Sequence, residues 1–311
     1  MASPSRDGFD AAVRGVCPVL EVPFDDDGEV DVQGFELVVD HVLATGVTSV
    51  SWPGFASEFY KLTDAERTLL CQCLLDRVQR HEGTWAIISI TQHATRLAVA
   101  DAVAAAEAGA SALNVLPPYF LSPARSAVLN HLRAVLSAVA PLPVIVQYTP
   151  QLAPSPVGSA DLIALAAEYP NLRMVKVDSA GAGRVIAELR DGAPPLRTMV
   201  GYAGITMLDA LRRGASGVQP GCSAVEVYQR IWQLWSEGRA EEAEDLHRRL
   251  LPYVVAWMQE MELMIQVEKS ISKERGWIAS DHCRAPGRPL DVGECTSIAR
   301  FLSEFDDLLG T

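Results

Sequence analysis

Apolar runs rich in β-branched residues alternate with segments of helical period eight times before residue 238. The strand candidates are Val16–Val22, Val47–Trp52, Trp85–Ile90, Ala112–Leu116, Val144–Tyr148, Leu172–Val177, Thr198–Tyr202 and Ser216–Gln219. Between them lie stretches such as Thr95–Ala108 and Ala127–Ala140, where small apolar residues recur at helical spacing. Strands that are apolar throughout need cover on both faces, which a parallel sheet wrapped by helices supplies. Eight such units over roughly 220 residues predict an α/β fold of the closed (β/α)8 type, a TIM barrel, rather than an open doubly wound sheet.

The helix ends carry their own signals. Thr63-Asp64-Ala65-Glu66 reads as a capping box, and Gly46 and Gly109 stand where helices should close before a strand. Past Gly238 the alternation stops. Ala240–Leu251, Tyr253–Arg275 and Val292–Leu309 read as helices, separated by Pro252 and by the turn-rich Asp281–Pro289. The expected organisation is a disordered or loosely packed lead-in over 1–12, a barrel over 13–238 and a C-terminal helical extension over 239–311.

Charge and composition narrow the function classes. A net charge of −13 over 311 residues argues against a nucleic-acid partner, whose phosphates need a basic surface. It also means that an anionic substrate must be held by local donors rather than drawn by the overall field. The six cysteines show no C-x-x-C pairing and no metal-ligand spacing with the six histidines, so reduced thiols and no metal are expected. No stretch reaches the ~20 uncharged apolar residues of a spanning helix, so no membrane partner is expected. The N-terminus lacks the apolar core of a signal peptide, and a cytoplasmic location is the expectation.

In a barrel of this kind chemistry collects at the C-terminal ends of the strands. Those ends carry Glu21, the loop Gly54–Glu58, Thr91 to His93, Tyr119, Tyr148, Lys176, Tyr202 and Gln219. Lys176 is the nucleophile among them and one of four lysines against 22 arginines. Burial disfavours an ammonium, so a lysine ending an apolar strand is set up to attack a carbonyl as the free amine. The bland alternative is a strand-end lysine that reaches solvent. Tyr148, ending the preceding apolar run, could transfer protons or be a core tyrosine with a backbone partner. Gly54, Phe55, Ala56 and Ser57 either present amides to an anion or simply form a tight turn. His93 is more often structural in such a position. Tyr119 fits a pocket wall or an interface as well as a substrate contact.

Six segments, in order, resemble the dihydrodipicolinate synthase / N-acetylneuraminate lyase family of Schiff-base aldolases. Val16-Cys-Pro-Val-Leu-Glu-Val-Pro-Phe24 with Asp27-Gly28 and Asp31 resembles its first strand and T-P-F…D-G-x-I-D turn. Gly54-Phe-Ala-Ser-Glu58 and Leu62-Thr63 with Glu66-Arg67 are similar to G-T-T-G-E…L-s-x-x-E-R. Leu116-Pro-Pro-Tyr-Phe120 resembles the P-Y-Y turn, Gln147-Tyr-Thr-Pro150 the Y-N-x-P turn, and Val175-Lys-Val-Asp-Ser179 the K-D-s segment. The 28-residue step from Tyr148 to Lys176 also matches.

The resemblance implies an imine between Lys176 and the carbonyl of pyruvate or another 2-oxo acid, with an aldehyde as second partner. It implies Tyr148 as the acid-base group and the Gly54–Ser57 amides on the keto-acid carboxylate, while Tyr119 and Gln219 are expected in the pocket from their places at the strand ends. No cofactor beyond the covalent imine is implied, and a homo-oligomer, dimer or tetramer, is. Two departures stand out. Phe55 and Phe120 replace hydroxyl residues of the family's proton relay, and no arginine follows Tyr148 to bind a second carboxylate. These departures point away from lysine biosynthesis, toward a less polar acceptor or a divergent aldolase or hydratase-aldolase. They also leave a competing expectation: a non-catalytic keto-acid sensor or scaffold of the same fold.

Overall fold

The computed structural model describes residues 6–121, 123–150, 156–179 and 181–310. Its strands are β1 (Gly15–Val16), β2 (Ser49–Trp52), β3 (Trp85–Ile90), β4 (Ala112–Val115), β5 (Val144–Tyr148), β6 (Leu172–Val177), β7 (Arg197–Val200) and β8 (Gly217–Val218). Their order in the sheet is β1-β8-β7-β6-β5-β4-β3-β2, with helices between successive strands. The chain is a (β/α)8 barrel followed by C-terminal helices.

Two compact units divide the chain, one formed by 1–14 with 85–219 and the other by 15–84 with 220–311. In the first, β3 to β8 pair in parallel, each with the next. Ile87, Leu113, Ile145, Val175 and Met199 are fully buried, as residues of a two-sided parallel sheet must be. The expected loose lead-in is corrected here. Residues 6–12 form the helix Arg6–Ala12. Phe9 is buried edge-on to Trp85 at 5.9 Å, and Asp10 pairs with Arg173 at 3.1 Å and Arg197 at 2.9 Å. The buried ring and the two ion pairs together offset the entropy of ordering the segment. Residues 1–5 lie outside the described residues.

In the second unit, β1 is far shorter than the expected Val16–Val22. Pro18 and Pro23 have no N–H to give a ladder, and beyond β1 the segment is tied by single bridges from Val19 to Ser51 and to Gly221. Asp31 caps the helix Val32–Ala44 through the Gly34 N–H at 2.8 Å. The Thr63–Glu66 capping box forms as expected at the start of Asp64–Val78. Arg284 grips the same Glu66 at 2.6 and 3.0 Å, which holds its carboxyl down at about 2.

The C-terminal helices are Val225–Ser236, Ala240–Trp257, Met261–Glu274, Val292–Glu304 and Asp306–Leu309. Pro252 does not end a helix. Its turn is retained because Tyr253, Val254 and Trp257 are buried, Tyr253 and Trp257 against Phe301, and the break falls at 258–260 instead. Residue 239 is not a boundary between units either, since these helices share a unit with 15–84.

Candidate active site

Lys176 lies on β6 and is 8% exposed. Its register partners are Gln147 on β5 and Met199 on β7. The amine does not sit in the purely apolar sleeve that the sequence predicts. Its Nζ is 3.4 Å from Oδ2 of Asp178, two residues on and 6% exposed. Alternation along the strand accounts for this, because positions two apart share a face.

Asp178 is held from two further sides. Gln147 Nε2 donates to Oδ2 at 2.6 Å, and the Tyr202 N–H donates to Oδ1 at 3.2 Å. Gln147 is held in turn by Asn114, whose Nδ2 donates to Oε1 at 3.1 Å and to Ser89 Oγ at 3.2 Å. A continuous polar chain therefore crosses the inner positions of β3, β4 and β5 and ends at the lysine. Each of its members is buried, and such a chain is stable only when its members satisfy one another. The turn that supplies the Tyr202 N–H has Tyr202 at φ 56° and Ala203 at φ 50°, left-handed values that non-glycine residues rarely adopt.

Tyr148 ends β5 half-buried, in register with Val177, and its carbonyl accepts the Asp178 N–H at 2.8 Å. It is thus on the strand beside Lys176 and one step beyond it. Gln219 is buried just after β8, with its N–H on the Val200 carbonyl at 2.8 Å. Tyr119 packs edge-on against His93 at 4.5 Å, and His93 Nε2 accepts the Phe120 N–H at 3.2 Å. That bond gives His93 a structural place. Phe120 itself is 69% exposed, so its substitution for a tyrosine removes a hydroxyl from a position that faces solvent.

Gly54 to Ser57 belong to the second unit, where Phe55–Ser57 makes one 3-10 turn. Ser57 Oγ accepts the Gly54 N–H at 2.9 Å and donates to the Leu20 carbonyl. A hydroxyl has one hydrogen, so Ser57 has none left for a substrate carboxylate. The N–H groups of Ser57 and Glu58 are taken by the carbonyls of Gly54 and Phe55. The first-turn amides of Phe55 and Ala56 are those with no acceptor inside the turn.

The same unit holds Glu21, Cys222 and Glu268, all buried, with ligand-type atoms within 4.8 Å of one another. No sequence spacing links these three residues. They could take up a cation, or a proton. Burial pushes the Glu21 carboxyl up to about 8, with the Ser272 hydroxyl drawing it down and the Glu268 charge adding to the rise. Burial also pushes Glu268 up and Cys222 well up. Neutral, protonated groups are what this arrangement favours.

The profile of the Dihydrodipicolinate synthetase family matches residues 12–305. The chain belongs to that family. It is 29% identical to the L-2-keto-3-deoxyarabonate dehydratase of Azospirillum brasilense over 298 residues, which cover 93% of this chain and 94% of that one. It is 26% identical to the 4-hydroxy-tetrahydrodipicolinate synthase of Salinibacter ruber, over 96% of this chain and 97% of the other. Its fold matches YagE of Escherichia coli K12, a family member solved in complex with pyruvate, with TM-score 0.86 at 23% identity over 95% and 99% of the two chains.

In this dihydrodipicolinate synthetase family member it is Gln147, one residue before Tyr148, whose side chain shares a face with Lys176 and Asp178. Sequence reasoning missed Asp178, Gln147, Asn114 and Ser89. The signal was present: Ser89, Asn114 and Gln147 are each a polar residue inside an apolar strand, and Asp178 follows the lysine at strand spacing. Among the described residues no helix is long and apolar enough to cross a membrane.

Proposed function

We propose that this family member is a lyase that binds a 2-oxo acid as an imine on Lys176. The observation that carries the reading is the placement of this amine, buried on β6 yet beside a fixed carboxylate. A buried amine in a polar setting has a route for the protons that imine formation must move. The protonated imine withdraws electrons from the neighbouring carbon and makes a carbanion equivalent there accessible. No metal or other cofactor is needed for that step.

In this reading Gln147 and Asp178 are the polar side chains at the amine. Tyr119 and Gln219 line the pocket. The dehydratase relative of Azospirillum brasilense acts on a keto-deoxy sugar acid, and the Escherichia coli neighbour holds pyruvate; both are 2-oxo acids. Borohydride reduction in the presence of pyruvate and 2-keto-3-deoxyarabonate should leave a mass adduct on Lys176, and Lys176→Ala should leave none. Absence of an adduct from every 2-oxo acid tried, with folded protein, rules the reading out.

A further inference from the structure

The reading above gives the buried carboxylate beside Lys176 no chemical step of its own, yet the fold commits several groups to it. Gln147 and the Tyr202 amide fix its two oxygens, and the Tyr202 amide is aimed by a left-handed turn. Backbone strain of this kind persists only where the surroundings enforce it, and it concentrates at functional sites. Gly201 leaves the room required. A Cβ there would collide with Asp178 Oδ1 and stand 3.0 Å from Lys176 Cε.

We infer that Asp178 is the catalytic base that takes the proton from the carbon next to the imine carbon. The inference rests on the imine at Lys176. Oδ2 stands 3.4 Å from Nζ, and the carbon to be deprotonated is two bonds from that nitrogen once the imine has formed. Oδ2 takes a proton from this methylene carbon. The C–H electron pair becomes a C=C bond, and the C=N pair returns to nitrogen, giving a neutral enamine. Return of the proton from Asp178 to that carbon restores the imine, and hydrolysis of the imine frees the amine and the 2-oxo acid. No oxidant or reductant enters. A side chain that merely neutralised the lysine would not need two fixed donors and a strained turn to orient it.

Two readouts separate the base from the nucleophile. Borohydride trapping with pyruvate reports the imine, and loss of the pyruvate methyl signal in D2O by NMR reports proton removal. Wild type should show both. Asp178→Asn should still be trapped while its exchange falls at least about 100-fold, the usual range for loss of a general base, and Asp178→Glu should regain part of the rate. Wild-type exchange in Asp178→Asn overturns the assignment, as does a folded Asp178→Asn that cannot be trapped, since the carboxylate then serves only imine formation. If Asp178→Asn does not fold, Gln147→Leu leaves the carboxylate present but unheld, and unchanged exchange there also overturns the assignment. Failure of wild type to be trapped sinks the Lys176 reading itself.

Discussion

Lys269 Nζ meets Glu58 Oε1 with both side chains wholly out of solvent. The same nitrogen donates to the His282 carbonyl at 2.9 Å and lies 4.2 Å from the centre of the Phe24 ring. Glu58 spends its other oxygen on Lys61 at 2.9 Å and adopts a left-handed φ of 50° at the junction of two short helical turns. The pair therefore ties the Gly54–Glu58 loop to the helix Met261–Glu274, within one unit of the chain. Removing one partner leaves a buried charge with less compensation, which costs about 3–5 kcal/mol. Lys269→Met should lower the urea midpoint accordingly, and adding Glu58→Gln should recover part of the loss. A single-variant cost below about 1 kcal/mol, as for a surface pair, would show that the contact does not hold the loop.

Glu21 gives a pH signature of opposite sign to the usual carboxylate. Burial raises its folded-state value to about 8 from an ordinary 4.5. Between those two values the unfolded chain has released the proton that the native state keeps. Stability should therefore decline as pH rises from 4.5 to 8, and this group contributes nothing further above that window. The full span is on the order of 5 kcal/mol. Glu21→Gln keeps the neutral shape and should flatten that part of the profile in denaturant titrations at pH 5, 6.5 and 8. Equal slopes in the two proteins would mean that Glu21 is ionised throughout.

The strands that were legible in the sequence are those whose partners are equally regular. β3, β5 and β6 begin and end where their apolar runs do. β1 does not, because two prolines interrupt its ladder although its side chains are buried as a strand's would be. The helix predicted over Tyr253–Arg275 is two helices, and the one before it runs through Pro252: local propensity marks that proline, while the buried faces of Tyr253 and Trp257 overrule it. At the site, Lys176 was visible because a lysine in an apolar strand is anomalous by itself. Asp178, Gln147 and Asn114 acquire meaning only through one another, across strands 31 to 64 residues apart in the chain, and no local pattern encodes that register. Ser57 shows the reverse case. Its residue type offers a hydroxyl to a ligand, and the fold uses that hydroxyl on Leu20.

Gly201 tests whether the Lys176–Asp178 geometry matters at sub-ångström precision. An alanine at this position meets first a problem of space. The added methyl would strike the Asp178 carboxylate and crowd Lys176 Cε at 3.0 Å. Overpacking of this kind costs about 1–3 kcal/mol, which should leave a folded protein with a modestly lowered melting temperature. Displacing two reacting groups by about 1 Å costs on the order of 100-fold in rate. Gly201→Ala should therefore lose catalytic efficiency out of proportion to its stability, and its rate of borohydride trapping with pyruvate should drop in parallel. Trapping and turnover at wild-type rates in this variant would mean that Asp178 and Lys176 tolerate displacement, which a base fixed by Gln147 and Tyr202 should not.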